Sequence, residues 1–152
     1  TTMLMFIVAN AYLFAFVLTT EQIPQTLSAS ILALDLAPWE FLLILNLILL
    51  VAGTLMDPTS VILILAPIIF PIATALGIDP VHLGVIFVVN LEIGLVTPPV
   101  GLNLFVASAV GGLPVTSVIR ASVPWLLLLL GFLVAVTYVP WISLVLPGLM
   151  LS

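Results

Sequence analysis

Two adjacent prolines, Pro98 and Pro99, stand in the middle of strongly apolar sequence. Around them residues 90–103 read NLEIGLVTPPVGLN, so two asparagines, a glutamate, a threonine and two glycines share the same stretch. Proline lacks a backbone N–H and clashes with the turn before it, which breaks a helix at this point. Within lipid, backbone groups freed by a break persist only where protein or a water-filled cavity satisfies them. The segment therefore demands a fold that buries an interrupted membrane helix. Such interruptions are where membrane proteins build ion and solute sites.

The lipid setting follows from composition. The chain is 64% hydrophobic and 5% charged, with a mean hydropathy of +1.55, whereas a soluble domain carries about 25% charged residues. This is an integral membrane protein. Cysteine is absent, which removes a disulfide framework and thiolate metal sites. The single His82 cannot build a multi-histidine site. One cation, Arg120, is too few for nucleic-acid binding, which needs clustered Lys and Arg on phosphates. The net charge of −5 comes from scattered acids. The chain starts at Thr1 with neither a basic n-region nor a small-residue cleavage site. It reads as the C-terminal piece of a longer membrane protein, or a truncated form of one.

The pattern predicts four units. Residues 1–38 hold a transmembrane helix (3–18) and then an amphipathic interfacial segment, with Ile23, Leu27, Ile31 and Leu34 at helical spacing. Residues 39–76 hold two short apolar arms. The first, 39–52, is about 21 Å as a helix, short of the roughly 30 Å core. The second is interrupted by Pro67 and Pro71. The arms meet at the polar tip Gly53-Thr54-Leu55-Met56-Asp57-Pro58, the pattern of a re-entrant hairpin. Residues 77–112 form the broken helix, in halves 81–96 and 100–110. Residues 113–152 carry a last span over 123–146, with Trp125 and Trp141 as interfacial anchors. Arg120 sets the orientation by facing the cytoplasm. The broken helix then starts outside, with Asp79 and His82 on that side and His82 a surface or capping residue, and the hairpin opens outside too.

Each candidate residue has a plain and a functional reading. Asp57 at the tip can cap the second arm, with Pro58 at the first helical position, or ligate an ion. Gly53 and Gly94 each precede a break; they either permit close helix packing or mark where the backbone opens its carbonyls to a cation. The Thr97 hydroxyl can satisfy a carbonyl freed by Pro98 or Pro99, or bind a cation through Oγ1. Asn103 lies near the N-terminus of the second half-helix, where free N–H groups favour a carboxylate. Glu92 has no evident role.

With GTLMDP, the PIIFP arm, GIDPVHLGV and NLEIGLVTPPVGLN in order, the chain resembles the C-terminal part of the large membrane subunit (DctM-type permease) of tripartite ATP-independent periplasmic (TRAP) transporters. The resemblance covers essentially the whole sequence. It implies an all-α membrane protein, half of an elevator-type transporter with one re-entrant helical hairpin and one discontinuous transmembrane helix. It also implies Na⁺-coupled import of organic acids, with C4-dicarboxylates favoured, across the bacterial inner membrane. The partners would be a periplasmic substrate-binding protein and a small membrane subunit. No catalytic residue is expected. The Na⁺ ligands carried over by motif are backbone oxygens of Gly53, Gly94, Thr97 and Val100, with the Thr97 hydroxyl. Asp57, Pro98, Pro99, Gly101 and Asn103 are the candidates for substrate contact and tip shape. The rivals are an elevator-type anion transporter without a binding protein, an intramembrane aspartyl protease built on Asp57, and a structural bundle. The protease needs a second facing aspartate, and Asp35 and Asp79 read as interfacial.

Overall fold

The computed structural model describes residues 2–22, 26, 29 and 37–150. Its helices are α1 (Thr2–Thr20), α2 (Pro38–Leu55), α3 (Pro58–Ala75), α4 (Pro80–Leu95), α5 (Leu102–Gly111), α6 (Val115–Tyr138) and α7 (Pro140–Met150). Among the described residues there is no strand. Among the described residues three helices, α2, α3 and α6, are long and apolar enough to cross a membrane. The expected amphipathic segment lies largely outside the described residues.

Proline sets most helix starts. Pro38, Pro58 and Pro80 stand in the first turn of α2, α3 and α4, where the missing N–H costs nothing. Acidic side chains satisfy the neighbouring donors. Glu40 Oε2 accepts from Ala37 N at 2.9 Å, and Asp79 Oδ1 accepts from Val81 N at 2.8 Å and His82 N at 3.3 Å. Asp57 does the same for α3, as described below.

Three expectations about the helices need correction. The first arm does not stop at Ala52: α2 runs through Leu55 for 18 residues, about 27 Å, because Gly53 and Thr54 stay helical. The second arm is not interrupted, since α3 runs through Pro67 and Pro71. The last span does not run through Pro140. It starts at Val115, ends at Tyr138, and α7 begins at Pro140. Val139, at φ −120° and ψ 81°, has left the helical region, the conformation that a following proline favours. Trp125 consequently sits about 15 Å inside α6, exposed on its surface, not at an end.

The hub is α4, which packs against α2, α3, α5, α6 and α7. Leu83, Ile86, Phe87 and Leu91 of α4 meet Phe41, Leu42, Leu45 and Leu49 of α2, joined by Val61, Ile72 and Ala73 of α3 and Val136 of α6. Many large apolar side chains elsewhere are exposed, as lipid or further protein would require. His82 departs from its sequence reading. It is buried in this core, with Nε2 donating to the Thr137 carbonyl at 3.2 Å and Nδ1 3.1 Å from Ser143 Oγ. The reason is helical spacing: residues 82, 86, 90 and 94 form one stripe, and that stripe faces the core.

The same bonds align α4 with α6. His82, near the start of α4, lies level with Thr137, near the end of α6. From there α4 descends about 18 Å to Gly94. Packed against both α4 and α5, α6 continues for about 33 Å from Thr137 to Val115.

Candidate functional site

At the break, α4 loses its regular hydrogen bonds because two donors are missing. Gly94 and Leu95 carbonyls would bond N–H groups four residues on, and those positions are Pro98 and Pro99. Gly94 O turns to Thr97 N at 3.1 Å instead. Ile93 O accepts from Val96 N at 3.1 Å and from Thr97 Oγ1 at 2.6 Å. The Pro98–Pro99 peptide is cis. Gly101 then adopts φ +50°, the left-handed region that favours glycine. A Cβ there would stand 2.8 Å from Leu104 Cδ1 and 3.0 Å from Thr97 O. The chain restarts as α5, whose first turn has no side-chain cap.

Opposite the break lies the tip of the α2–α3 pair. Met56 N makes the last helical bond of α2, to Ala52 O at 2.9 Å. Gly53, Thr54 and Leu55 follow Ala52, so their carbonyls are the unpaired ones of a helix C-terminus. Asp57 caps α3: Oδ2 accepts from Ser60 N at 2.9 Å, and Oδ1 from Ser60 Oγ at 2.7 Å. Capping is thus the role its carboxylate performs here.

The two tips touch through glycine. A Cβ on Gly94 would lie 2.6 Å from Gly53 O and 2.7 Å from Gly53 Cα, and closer still to the Gly53 carbonyl carbon. Only glycine permits this approach. Beside the contact is a cavity of about 70 Å³, lined by Gly53, Thr54, Leu55, Met56, Asp57, Leu95, Val100 and Leu102. The structure therefore brings Gly53, Asp57 and Val100 together around the cavity, with Gly94 against Gly53 but outside the lining. Thr97, Pro98, Pro99 and Gly101 shape the break but are not among the lining residues. Asn103 is exposed in the first turn of α5 and also outside the lining.

Physically, two helix C-termini, those of α2 and α4, converge on this cavity. Each carries partial negative charge and carbonyls without intrahelical partners. Among the described residues no three of His, Asp and Glu cluster. A cation here would be held mainly by backbone oxygen, a hard donor suited to a hard ion. The Thr97 hydroxyl is compatible with that: it donates its hydrogen to Ile93 O and keeps its lone pairs. The plain and functional readings of Thr97, Gly53 and Gly94 are therefore not exclusive. The adjacent uncapped N-terminus of α5 has the opposite polarity.

What the sequence reading missed is a buried polar chain behind the site, through His82, Thr137, Asn46 and Asn90. Its signal was present: His82, Asn90 and Gly94 share the stripe noted above, and Asn46 and Gly53 are two turns apart on α2.

The family described as tripartite ATP-independent periplasmic transporter, DctM component, matches residues 1–142. A C4-dicarboxylate TRAP transporter large permease protein DctM of Pseudomonas aeruginosa is 65% identical over 148 residues, covering 97% of this chain and 35% of that protein. One of the same description from Vibrio cholerae is 54% identical over 152 residues, covering 100% and 34%. An isethionate TRAP transporter permease protein DctMQ of Oleidesulfovibrio alaskensis is 41% identical over 146 residues, covering 96% and 23%. The chain spans about a third or less of the length of these relatives. A match through residue 142 takes in the glycine contact, the capped tip and the proline break alike, and the chain belongs to the DctM component family of tripartite ATP-independent periplasmic transporters.

Proposed function

We propose that this chain is the part of a TRAP large permease that builds one ion-coupling site of a Na⁺-driven organic-acid importer. The observation that carries the reading is the convergence of two helix C-termini on one small cavity, with Gly53 and Gly94 in backbone contact. Backbone oxygens of Gly53, Gly94, Thr97 and Val100, with Thr97 Oγ1, are the ligands. The substrate anion binds on the α5 side, where the uncapped helix N-terminus and Asn103 offer donors. Na⁺ draws the tip against the break and so completes the anion site, which makes the two affinities reciprocally coupled.

The α2–α3 pair acts as a re-entrant hairpin in an elevator-type mechanism. What supports this reading is that the tip lies against the proline break of α4, so the turn between α2 and α3 faces an interrupted helix. C4-dicarboxylates are the favoured substrate class, because relatives named for them stand at 65% and 54% identity, against 41% for one named for isethionate. A periplasmic binding protein delivers substrate, a small membrane subunit completes the complex, and the assembly sits in the inner membrane.

The test is uptake by proteoliposomes holding the full complex, titrated with Na⁺. Thr97→Ala is expected to raise the half-saturating Na⁺ concentration by about tenfold, the effect of losing ~1.4 kcal/mol of ligand binding. An unchanged Na⁺ dependence would remove Thr97 from the site. Asp57→Asn and Asp57→Ala separate charge from capping. An amide still caps, so Asp57→Asn should transport normally, while Asp57→Ala loses about 1 kcal/mol of helix stability. Equal loss of uptake in both would show that the charge itself is needed.

A further inference from the structure

Behind the candidate site, side chains of four helices form a buried hydrogen-bonded chain. Asn90 Nδ2 donates to Asn46 Oδ1 at 2.6 Å and to Ile86 O at 2.8 Å. Asn46 Nδ2 donates to Thr137 Oγ1 at 3.0 Å. The Thr137 carbonyl in turn holds His82, whose ring reaches Ser143 of α7. All five side chains are 8% exposed or less. Asn90 Oδ1 is buried with no hydrogen-bond partner.

Such a network is a poor source of stability. A buried amide oxygen left unpaired is costly, and a well-packed leucine pair would serve an apolar core as well or better. What the amides add is direction. Apolar contacts between α2 and α4 tolerate sliding, whereas each asparagine pairs in one register only. A slip of one residue turns the side chains by about 100° and leaves buried amide groups unpaired. Fixing register is the best-attested use of a buried polar pair.

Register matters here because of where the pair sits. Asn46 lies two turns before Gly53 on α2, and Asn90 one turn before Gly94 on α4. The Gly53–Gly94 contact exists only where two Cβ-free positions face each other. We infer that Asn46, Asn90 and Thr137 are positioning residues for the ion site: they lock α2 to α4 in the register that brings the Gly53 and Gly94 backbones together. Thr137 extends the lock to α6. The inference rests on the Na⁺ reading of the Gly53–Val100 cluster, and the test separates the two.

Thr137→Val keeps the side-chain shape and deletes the hydroxyl; Thr137→Ser keeps the hydroxyl. In the full complex in proteoliposomes, Thr137→Val is expected to raise the half-saturating Na⁺ concentration by about fivefold, with the maximal rate within about twofold of the parent, and Thr137→Ser to restore it. Asn90→Leu should shift it further. The pair Asn46→Leu with Asn90→Leu should melt no lower than the parent yet keep the weakened Na⁺ dependence. Unchanged half-saturation in Thr137→Val and Asn90→Leu overturns the inference, as does a fall in maximal rate alone. Thr97→Ala in the same series reports on the ion reading by itself. If Thr97→Ala has no effect, amide hydrogen exchange at Gly53–Met56 decides the lock. Faster exchange in Thr137→Val supports it, and unchanged exchange overturns it.

Discussion

Alanine at Gly94 is expected to reduce the proposed Na⁺-driven uptake by the full complex to background, while alanine at Gly84, earlier on the same helix, is expected to leave it intact. A methyl group on Gly94 enters the Gly53 backbone, 2.6 Å from its carbonyl oxygen. Backbone cannot rotate away as a side-chain end can, so α2 and α4 must separate. Overpacking a tight contact costs about 1–3 kcal/mol, and this site lies at the upper end because both partners are main chain. Gly84 has nothing within 4 Å of the same added atom, so its alanine gains helix propensity of up to about 1 kcal/mol. Gly53→Ala falls between. Its Cβ would meet Leu91 Cα and Cδ2 at 3.3 Å and Gly94 Cα at 3.4 Å, which a few tenths of an ångström relieve. The expected order of damage is Gly94, then Gly53, then Gly84, read from uptake in proteoliposomes and from melting of the purified complex. Equal effects at Gly94 and Gly84 would mean that the helix contact is not what the site needs.

That ranking was not legible in the sequence, although the glycines were. A glycine in an apolar helix has the same local signature whether it faces lipid or another backbone, and the difference is tertiary. The starts of α2, α3 and α4 were legible, because Pro38, Pro58 and Pro80 suit a first helical turn and two of them follow an acidic cap. The break was legible because Pro98 and Pro99 remove donors whatever surrounds them. Capping by Asp57 was legible as one of two options, since Asp-Pro before an apolar run is a helix start in any setting. The helix through Pro67 and Pro71 was not, because neighbouring groups in a bundle compensate a lost N–H and sequence does not reveal the neighbours. The polar chain was missed for a related reason. Taken singly, His82 and Asn90 carry no such signal and Asn46 draws no notice, and only their joint burial gives them partners. Glu92 remains exposed on α4, and nothing in the structure explains it.

Replacing Pro98 and Pro99 together by alanine separates stability from transport more sharply than any other change. Each proline costs about 3 kcal/mol inside a helix, and here the cost falls on a break that already exists. Alanine at both positions returns N–H donors to the Gly94 and Leu95 carbonyls, and the helix can propagate toward α5. The Gly94 carbonyl, now held by Thr97 N at 3.1 Å, would return to a regular helical bond. The C-terminus of α4 would cease to exist as a negative end, and the N-terminus of α5 as a positive one. Both halves of the proposed site depend on those ends, so Na⁺ and substrate affinities should fall together, each by about a hundredfold or more if ~3 kcal/mol of preference is redirected. The melting temperature of the complex should hold or rise, because propensity improves and only a small cavity is lost. A single Pro98→Ala supplies one donor and leaves Pro99 to stop the helix, so its loss should be partial. Titrating uptake with Na⁺ and with succinate, beside melting curves, reads all three quantities. If the double variant transports at the parental rate, the interrupted helix is not the source of the site, and the two converging C-termini lose their role.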